Sequence, residues 1–474
     1  MFFRKLRSAA ITAADGKPLF KDKEIRFRSV LAFPNSLVYS FLLLILCFLL
    51  LLTWFPTKGT GGSQLFILST SRENCQPKER KCDGKAFFYM YELPEKFNSG
   101  LLRHCRNLSV YTDMCPYVAN RGLGQPLPSL GSPSWYATHQ FIAEMIFHAR
   151  AENHPCRTRD PRSASLFYVP FYGGLHVSSK FREPDRRERD RLAVELDEYL
   201  DHQITWHKFN GSDHFLALGR TAWDFMRDDD GYDFGANRLL KLPRVLNMSV
   251  LTVERHPGQG WVNQFGIPYT SYFHPSSTEE MVEWQEEMRR ARRFYLFSFV
   301  CAPRTSVEKA AVRDQILRQC EASPRCHMVR CGRGASACHE PSEVLKVMTR
   351  SIFCMQPAGD SFTRRSVFDS VLAGCIPVFF SPHTAYTQYQ WFFPAEPTAY
   401  SVYIPEDKVD MMEEELIKIP SYKVERMRKN LINLIPSITY THPNATEIGF
   451  KDAVDVALEQ LVKHVQSKLP LESL

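Results

Sequence analysis

The hydrophobic positions of this chain form short apolar runs that alternate with longer segments of three-to-four-residue spacing. The runs predict β-strands over 86–94, 165–172, 213–219, 249–254, 294–303 and 375–380. The spaced segments predict helices over 134–150, 181–203, 279–293, 306–320 and 361–373, and 343–357 predicts a helix that leads into a buried strand. Strands and helices alternating in this way predict an α/β fold with parallel sheets, and no repeat of solenoid period is visible.

The apolar run 37–55 differs from the others because it is too long for a strand. Its 19 residues carry no charge, and at about 1.5 Å per residue they reach about 28 Å, the thickness of a bilayer's hydrocarbon core. A cleaved signal peptide is the alternative, but the 36 preceding residues and the lack of a small-residue cleavage site favour a signal anchor. The basic segment 1–36 is expected to stay cytosolic, which gives a type II protein with a stem at 56–84 and a lumenal body.

Composition and charge narrow the class of protein. The 474 residues are 44% hydrophobic and 23% charged, which is typical of a globular protein long enough for two domains. The net charge is +7, but residues 1–36 alone carry eight basic and three acidic side chains, so the remainder is nearly neutral. A nearly neutral body argues against nucleic acid as a partner. Because a new series of strands starts at 294, we place the domains at 85–293 and 294–440, followed by a helical tail at 441–474.

Cysteines and glycosylation sequons agree with a lumenal body. Twelve of the 13 cysteines follow the apolar run, and an even number suits disulfide bonds in an oxidising compartment. The densest group of cysteines would bind zinc together with a neighbouring histidine in one interpretation, although its spacing fits local disulfides better. Its members are Cys320, Cys326, Cys331 and Cys338, with His327 and His339 beside them. The sequon asparagines are Asn107, Asn210, Asn247 and Asn444.

The segment 350–380 carries the most specific chemical signal in the chain. A buried strand leads into Gly359, whose missing side chain lets the backbone approach a ligand closely. Asp360 or Ser361 is expected to cap the helix that follows. Free N–H groups at the start of a helix bind anions, and strand-to-helix crevices are the usual ligand sites of open α/β sheets.

Charged residues at the start of this helix make the anion more specific. Arg364 and Arg365 add positive charge where the helix dipole favours acids, which indicates an anion nearby. Asp369 follows one turn later on the face of Arg365, where a carboxylate would hold ribose hydroxyls. The segment therefore predicts a site for a nucleoside diphosphate. The alternative is an ordinary surface ion pair between Arg365 and Asp369.

This segment also resembles a known signature. GDSFTRRSVFDSVLAGCIPVFF (359–380), followed by YTQYQWFFP and YSVYI, is similar to the donor-binding signature of the exostosin-like glycosyltransferases, family 47, and above all to its plant xyloglucan galactosyltransferase branch. Further matching segments lie in the same order across about residues 85–440: YMYELPEKFN, RDPRSASLFYVPFYGGL, DHFLALGRTAWDF, FGIPYTSYFHP and WQEEMRRARRFYLFSF.

The resemblance implies a GT-B fold, in which two Rossmann-like domains face a cleft, with the acceptor on the N-terminal side and the nucleotide sugar on the C-terminal side. It implies an inverting hexosyltransferase that needs no metal at the diphosphate. The expected donor is UDP-galactose and the expected acceptor is xyloglucan. The expected location is the Golgi membrane, where complexes with other Golgi glycosyltransferases are conceivable.

By position in the family pattern, the resemblance also implies a set of donor-binding residues. That set is Arg304, Gly359, Asp360, Ser361, Phe362, Arg364, Arg365 and Asp369. The family pattern usually has glycine where this chain has Cys301, three residues before Arg304.

An inverting transfer needs a general base, which GT-B enzymes take from the first domain. We favour Asp213 and His214, because they begin a strand-like segment that matches the family, with a packed structural histidine as the alternative. The other candidates are Glu92, Asp160, Asp224, Glu254 and His256.

One acidic run has the spacing of a metal site. Asp228-Asp229-Asp230 contains the Asp-x-Asp pair that metal-dependent transferases use at the diphosphate. Because this loop is distant in sequence from the donor helix, we interpret it as a solvated turn and expect no metal.

Three other functions compete with galactosyl transfer to xyloglucan. Within the same class, the chain would transfer galacturonic acid or arabinose to a wall polysaccharide. A non-catalytic Golgi scaffold would keep the fold without the activity, but the intact donor segment argues against it. A wall-binding lectin would bind glucan without affinity for UDP.

Overall fold

The computed structural model of the chain describes residues 87–229, 233–258, 260, 262–302, 311–331, 340–445 and 448–468. They all belong to one compact unit that spans Cys75–Leu474. The predicted cytosolic tail, anchor and stem lie outside the described residues, and so does Arg304. Among the helices that are described, none has both the length and the apolar character needed to cross a bilayer.

The first sheet consists, within the described residues, of six parallel strands in the order β2-β1-β3-β4-β5-β6. They are β1 Phe88–Met90, β2 Arg157–Thr158, β3 Leu166–Val169, β4 His214–Ala217, β5 Ser249–Thr252 and β6 Gln264–Gly266. Strands β3, β4 and β5 are buried along their whole length, because both faces of a parallel sheet are covered by other elements. The four strands predicted before β7 are confirmed with shorter bounds. They were predicted over 86–94, 165–172, 213–219 and 249–254.

The second sheet has, in the described part of the chain, five parallel strands in the order β11-β10-β9-β7-β8. They are β7 Tyr295–Cys301, β8 Cys326–Arg330, β9 Ser351–Gln356, β10 Ile376–Phe379 and β11 Val402–Tyr403. A disulfide between Cys354 and Cys375 joins β9 to the residue before β10. The predicted α/β architecture with parallel sheets is confirmed.

Helices connect the strands and cover the sheets. The described α-helices are α1 Cys115–Val118, α2 Ala143–Glu152, α3 Gly173–Lys180, α4 Arg186–Asp201, α5 Ile204–His207, α6 Thr278–Arg290, α7 Ala311–Ala322, α8 Pro341–Thr349, α9 Arg365–Leu372, α10 Met412–Ile417, α11 Ser421–Asn433, α12 Ile435–Ile438 and α13 Ala453–Lys468. Side chains set two of the starts: Asp185 accepts the N–H of Arg187 before α4, and Ser277 accepts the N–H of Glu280 before α6.

The helix predicted over 134–150 begins later than its apolar spacing indicates. Residues 134–142 are not helical, because Trp135 pairs with Phe273 and Tyr136 pairs with Pro126 in isolated bridges. The Trp135 ring also packs on Phe273 and Trp284, with ring centroids 4.9 and 4.8 Å away. Tertiary pairing of these aromatic side chains overrides the local helical pattern.

The last helix, α13, returns to the first sheet and packs on α2 and β3. A buried ion pair and a buried hydrogen bond fix it there. Arg150 Nε of α2 lies 2.9 Å from Asp452 Oδ2, and His154 Nε2 lies 2.9 Å from Asp455 Oδ1. The last described helix therefore packs on the sheet that contains the first described strand.

Most of the cysteines that the structure describes form disulfides, and Cys301 is free. Cys105 bonds to Cys115 and Cys320 to Cys326, and both Cys156 and Cys331 are also disulfide-bonded. Among the described residues, no cluster of three or more His, Cys, Asp or Glu side chains is arranged to hold a metal ion. The disulfide interpretation is thus confirmed at Cys320 and Cys326, whereas Cys338 and His339 lie outside the described residues.

Candidate active site

The loop 357–364 joins β9 to α9, and we call it the donor loop. Helix α9 begins at Arg365, with Arg364 at the N-cap position and no side-chain cap. The prediction that Asp360 or Ser361 caps this helix is therefore wrong. The loop instead closes a tight turn in which the N–H of Gly359 donates to the carbonyl of Ser361 at 2.8 Å, so the helix starts later.

Two arginines meet at the start of the donor loop. Arg364 Nη1 donates to the carbonyl of Pro357 at 3.1 Å, and Arg313 Nε of α7 donates to the carbonyl of Ala358 at 3.0 Å. A Cβ at Gly359 would collide with the guanidinium of Arg313, so a side chain there would displace this arginine. Burial and the neighbouring charge of Arg313 lower the pKa of Arg364 to about 10. Two like charges held together at a loop are suited to binding an anion.

Sequence reasoning missed Arg313 because nothing in its local pattern sets it apart. It lies on a helix that reads as amphipathic, and it is only 7% exposed in the fold. Cys301, at the end of β7, is buried beside the two arginines, whose charges oppose the rise that burial causes in its thiol pKa. The carboxyl ends of β7 and β9 therefore converge on the arginine pair, which is where open α/β sheets bind ligands.

Three further residues of the donor loop, Asp360, Ser361 and Phe362, were also predicted to bind the donor. Asp360 is exposed, and Ser361 and Phe362 are half-buried. The Phe362 ring meets His383 edge-on, with centroids 5.1 Å apart. These residues flank the arginine pair.

Arg365 faces the first sheet rather than the arginine pair. Its Nη1 donates to the carbonyl of Thr138 at 3.0 Å, and its Nη2 donates to the hydroxyl of Tyr272. The guanidinium lies over the Tyr272 ring, 4.3 Å from its centroid. These contacts hold the start of α9 against the N-terminal half of the chain.

Asp369 lies in the same contact. Its Oδ2 is 3.5 Å from Arg365 Nε, and its Oδ1 accepts a 2.6 Å hydrogen bond from the hydroxyl of Ser271. Burial raises the pKa of this carboxyl, which is 2% exposed. The alternative of a surface ion pair is therefore wrong, since the pair is buried between the two halves of the chain. Contact with a ribose stays a prediction.

Glu254 extends from the first sheet to the donor loop. It follows β5, and its Oε2 accepts hydrogen bonds from the N–H and the hydroxyl of Thr363 at 2.8 and 2.5 Å. The indole N–H of Trp223 donates to its Oε1 at 2.9 Å. The carboxyl ends of β5 and β9, one from each sheet, thus meet at this carboxylate.

Asp213 and His214 are not brought to the donor loop. They lie at the amino end of β4, at most 1% exposed, whereas the donor loop meets carboxyl ends of strands. His214 Nδ1 is 2.7 Å from Asp213 Oδ1, and its Nε2 is 2.7 Å from the hydroxyl of Tyr91. The ring stacks on Phe167 at 4.7 Å, and burial lowers its pKa. This enclosure favours the packed structural histidine over a catalytic base.

His256 lies near Glu254 but presents a donor. Its Nδ1 accepts the N–H of Gly258 at 2.9 Å, so the neutral ring carries its proton on Nε2. The ring packs on Trp223, 4.5 Å between centroids. The Nδ1 lone pair of His256 is therefore used within its own loop, and its role as a base stays a prediction.

The acidic run is consistent with a turn at the surface. Asp228 pairs with Lys241, and the carbonyl of Asp229 accepts from Arg186 Nη1 at 3.2 Å. Asp230 lies outside the described residues.

Comparison with known proteins identifies the class of protein to which the chain belongs. The model of the exostosin GT47 domain matches residues 85–421. The chain belongs to the exostosin GT47 family of glycosyltransferases, as the donor segment predicted.

The relatives within this family are plant proteins. The probable xyloglucan galactosyltransferase GT17 of Arabidopsis thaliana is 57% identical over 390 residues, which cover 82% of this chain and 85% of the relative. The Arabidopsis xyloglucan galactosyltransferase MUR3 is 43% identical, with 86% of this chain and 66% of the relative covered. A solved α-glucosyltransferase in complex with UDP and mismatched DNA gives a TM-score of 0.36 at 10% identity, over 63% of this chain and 79% of the other, too weak a likeness to inform the fold.

Proposed function

We propose that this chain is a GT-B glycosyltransferase that transfers galactose from UDP-galactose to xyloglucan side chains with inversion at the sugar. The observation that carries the proposal is the pair Arg313 and Arg364 at the donor loop. The names of the relatives, which cover most of this chain, support galactose as the sugar and xyloglucan as the polysaccharide acceptor.

The donor is placed by the arginine pair. The diphosphate of UDP-galactose lies against Arg364 and Arg313, whose charge-assisted hydrogen bonds hold its oxygens. The acceptor hydroxyl attacks the sugar carbon from the face opposite UDP, so that one C–O bond forms as the bond to the diphosphate breaks. The hydroxyl proton passes to a general base of the first domain or to water, and UDP leaves as the free diphosphate. The two guanidinium groups stabilise the negative charge that develops on the departing UDP.

The arrangement of the sheets supports a GT-B cleft. Glu254 and Trp223 come from the first half of the chain, and the donor loop comes from the second. The acceptor polysaccharide would enter from the side of the first sheet. Residues Arg220 and His256 are both half-buried near that side and carry donors suited to sugar hydroxyls.

A donor screen tests the proposed function. The full-length protein in detergent is incubated with xyloglucan oligosaccharides that lack galactose, and with UDP-galactose, UDP-galacturonic acid or UDP-arabinopyranose in turn. We expect transfer from UDP-galactose alone, and a β-linkage by NMR because UDP-galactose is α-linked. Transfer from one of the other two donors would instead support a galacturonic acid or arabinose transferase. Glucan binding without affinity for UDP would support a lectin.

We also propose that the protein is a type II membrane protein of the Golgi, with its body in the lumen. The four sequon asparagines support this, because each of them is exposed in the structure: Asn107, Asn210, Asn247 and Asn444. An exposed side chain leaves room for a glycan.

Glycosylation provides the measurement for this topology. In the full-length protein from plant or insect cells, each Asn→Gln change at a sequon is expected to increase gel mobility by one glycan, and endoglycosidase treatment should abolish the differences. A protein that runs at the same position before and after treatment would contradict a lumenal body.

A further inference from the structure

Glu254 is a buried carboxylate that belongs to one sheet and bonds to the other. It is 0% exposed. Thr363, its partner in the donor loop, lies 109 residues later in the chain. Burying a carboxylate is costly unless hydrogen-bond donors surround it. A buried carboxylate at position 254 therefore indicates a role other than packing.

The described residues surround Glu254 with donors. Trp223 Nε1 and the backbone N of Thr363 carry hydrogens that point at its oxygens, and the Thr363 hydroxyl gives its single hydrogen to Oε2. Since that hydrogen is used, the hydroxyl of Tyr269, 3.0 Å from Thr363 Oγ1, acts as the donor in their contact. A chain of hydrogen bonds thus runs from Tyr269 through Thr363 to Glu254.

The chain of hydrogen bonds fixes Thr363, which is next to the arginine pair. Thr363 directly precedes Arg364, so holding the N–H of Thr363 also holds the backbone from which Arg364 extends. Thr363 and Tyr269 are both nearly buried, at 5% and 3% exposure. Glu254, Trp223 and Tyr269 all come from the part of the chain before β7, which contains the first sheet. The position of the phosphate-binding arginine is therefore set by the opposite sheet.

We propose that Glu254 is a positioning residue for the donor, which acts through Thr363 to hold Arg364 at the diphosphate and makes donor affinity depend on contact between the two sheets. The inference rests on the proposed function. Glu254 does not touch the donor in this arrangement, because both of its oxygens face Thr363 and Trp223.

The experiment measures UDP affinity by calorimetry and steady-state kinetics with UDP-galactose, on the full-length protein in detergent. Thr363→Val keeps the side-chain shape but removes the hydroxyl, and we expect about a tenfold rise in the Kd for UDP. Glu254→Gln keeps the shape but turns an amide donor towards Trp223 or Thr363, and we expect a rise of about 10- to 100-fold. In both variants the KM for the donor should rise more than kcat falls.

Two further variants separate positioning from plain stability. Thr363→Ser restores the hydroxyl and should return the Kd for UDP to within about twofold of wild type. Asp452→Asn is the matched control, because Asp452 is also a fully buried carboxylate, and it accepts hydrogen bonds from the nearby Thr441 and from Arg150, 302 residues away. It should lower the thermal midpoint and leave the Kd for UDP unchanged.

The outcomes separate the two proposals. If Glu254→Gln and Thr363→Val fold, lose thermal stability as Asp452→Asn does, and bind UDP like wild type, Glu254 is only structural and the inference is overturned. If Glu254→Gln does not fold, Thr363→Val decides the question alone. If the wild-type protein itself binds no UDP, the proposed function fails before this inference is reached.

Discussion

Replacing Arg364 with alanine is expected to lower kcat/KM for UDP-galactose by about 100-fold or more, because charge-assisted hydrogen bonds to the diphosphate are each worth about 1.5–3 kcal/mol. The loss should appear in the Kd for UDP as well as in kcat, since the charge on the diphosphate grows as UDP leaves. Arg364→Lys should recover only part of the activity, because an ammonium group cannot bond two oxygens in the planar geometry of a guanidinium.

An arginine outside the site provides the control. Arg187 on α4 is exposed, and Arg187→Ala should leave the Kd for UDP and kcat/KM unchanged. Arg313→Ala should resemble Arg364→Ala, and the double variant should lose less than the product of the two single losses, because both side chains act on one diphosphate. Normal UDP binding by a folded Arg364→Ala variant would remove the basis of the donor site.

Replacing Arg150 with methionine is expected to cost about 3–5 kcal/mol of unfolding free energy, because Asp452 is then left as a buried charge without its partner. Arg150 is 1% exposed and Asp452 0%, and Arg150 Nε lies 2.9 Å from Asp452 Oδ2. Loss of this ion pair should also release α13, which the pair holds on α2. Chemical denaturation followed by tryptophan fluorescence measures the cost.

An exposed ion pair of the same length makes the comparison. Arg162 Nε lies 3.0 Å from Asp160 Oδ1, but the Arg162 side chain is 90% exposed. Arg162→Met should leave the denaturation midpoint unchanged, because water already solvates both charges. Equal midpoints for Arg150→Met and wild type would show that the pair between α2 and α13 contributes nothing to the fold.

The strands that carry continuous apolar runs were predictable because hydrophobicity is a local property of the chain, whereas β2, β6, β8 and β11 were not predicted. Continuous apolar runs such as 165–172 and 213–219 are buried on both faces of the first sheet, so hydrophobicity alone marks them. Helix starts were less predictable. The start of α2 moved because Trp135 pairs with Phe273, and the start of α9 moved because the Gly359–Ser361 turn and Thr363 hold the donor loop extended.

The candidate site was predicted in part. Arg364 was singled out because two adjacent arginines at a helix start are unusual, and the structure places it beside Arg313. Arg365 shares that signal but turns to Tyr272 and Thr138, a contact between distant segments. His214 was favoured as part of the general base because its segment matches the family, yet Tyr91 and Phe167 enclose it. Neither neighbour is visible from the local sequence.

The sequence by itself determined the α/β class, the family and the donor loop, because apolar periodicity and an ordered motif are recorded within short stretches of chain. Only the tertiary structure decided that Arg313 joins Arg364, that Glu254 reaches Thr363, and that His214 is enclosed. Each of these depends on which elements pack together. Residues 109 positions apart, such as Glu254 and Thr363, become neighbours only when the two sheets place the carboxyl ends of their strands face to face.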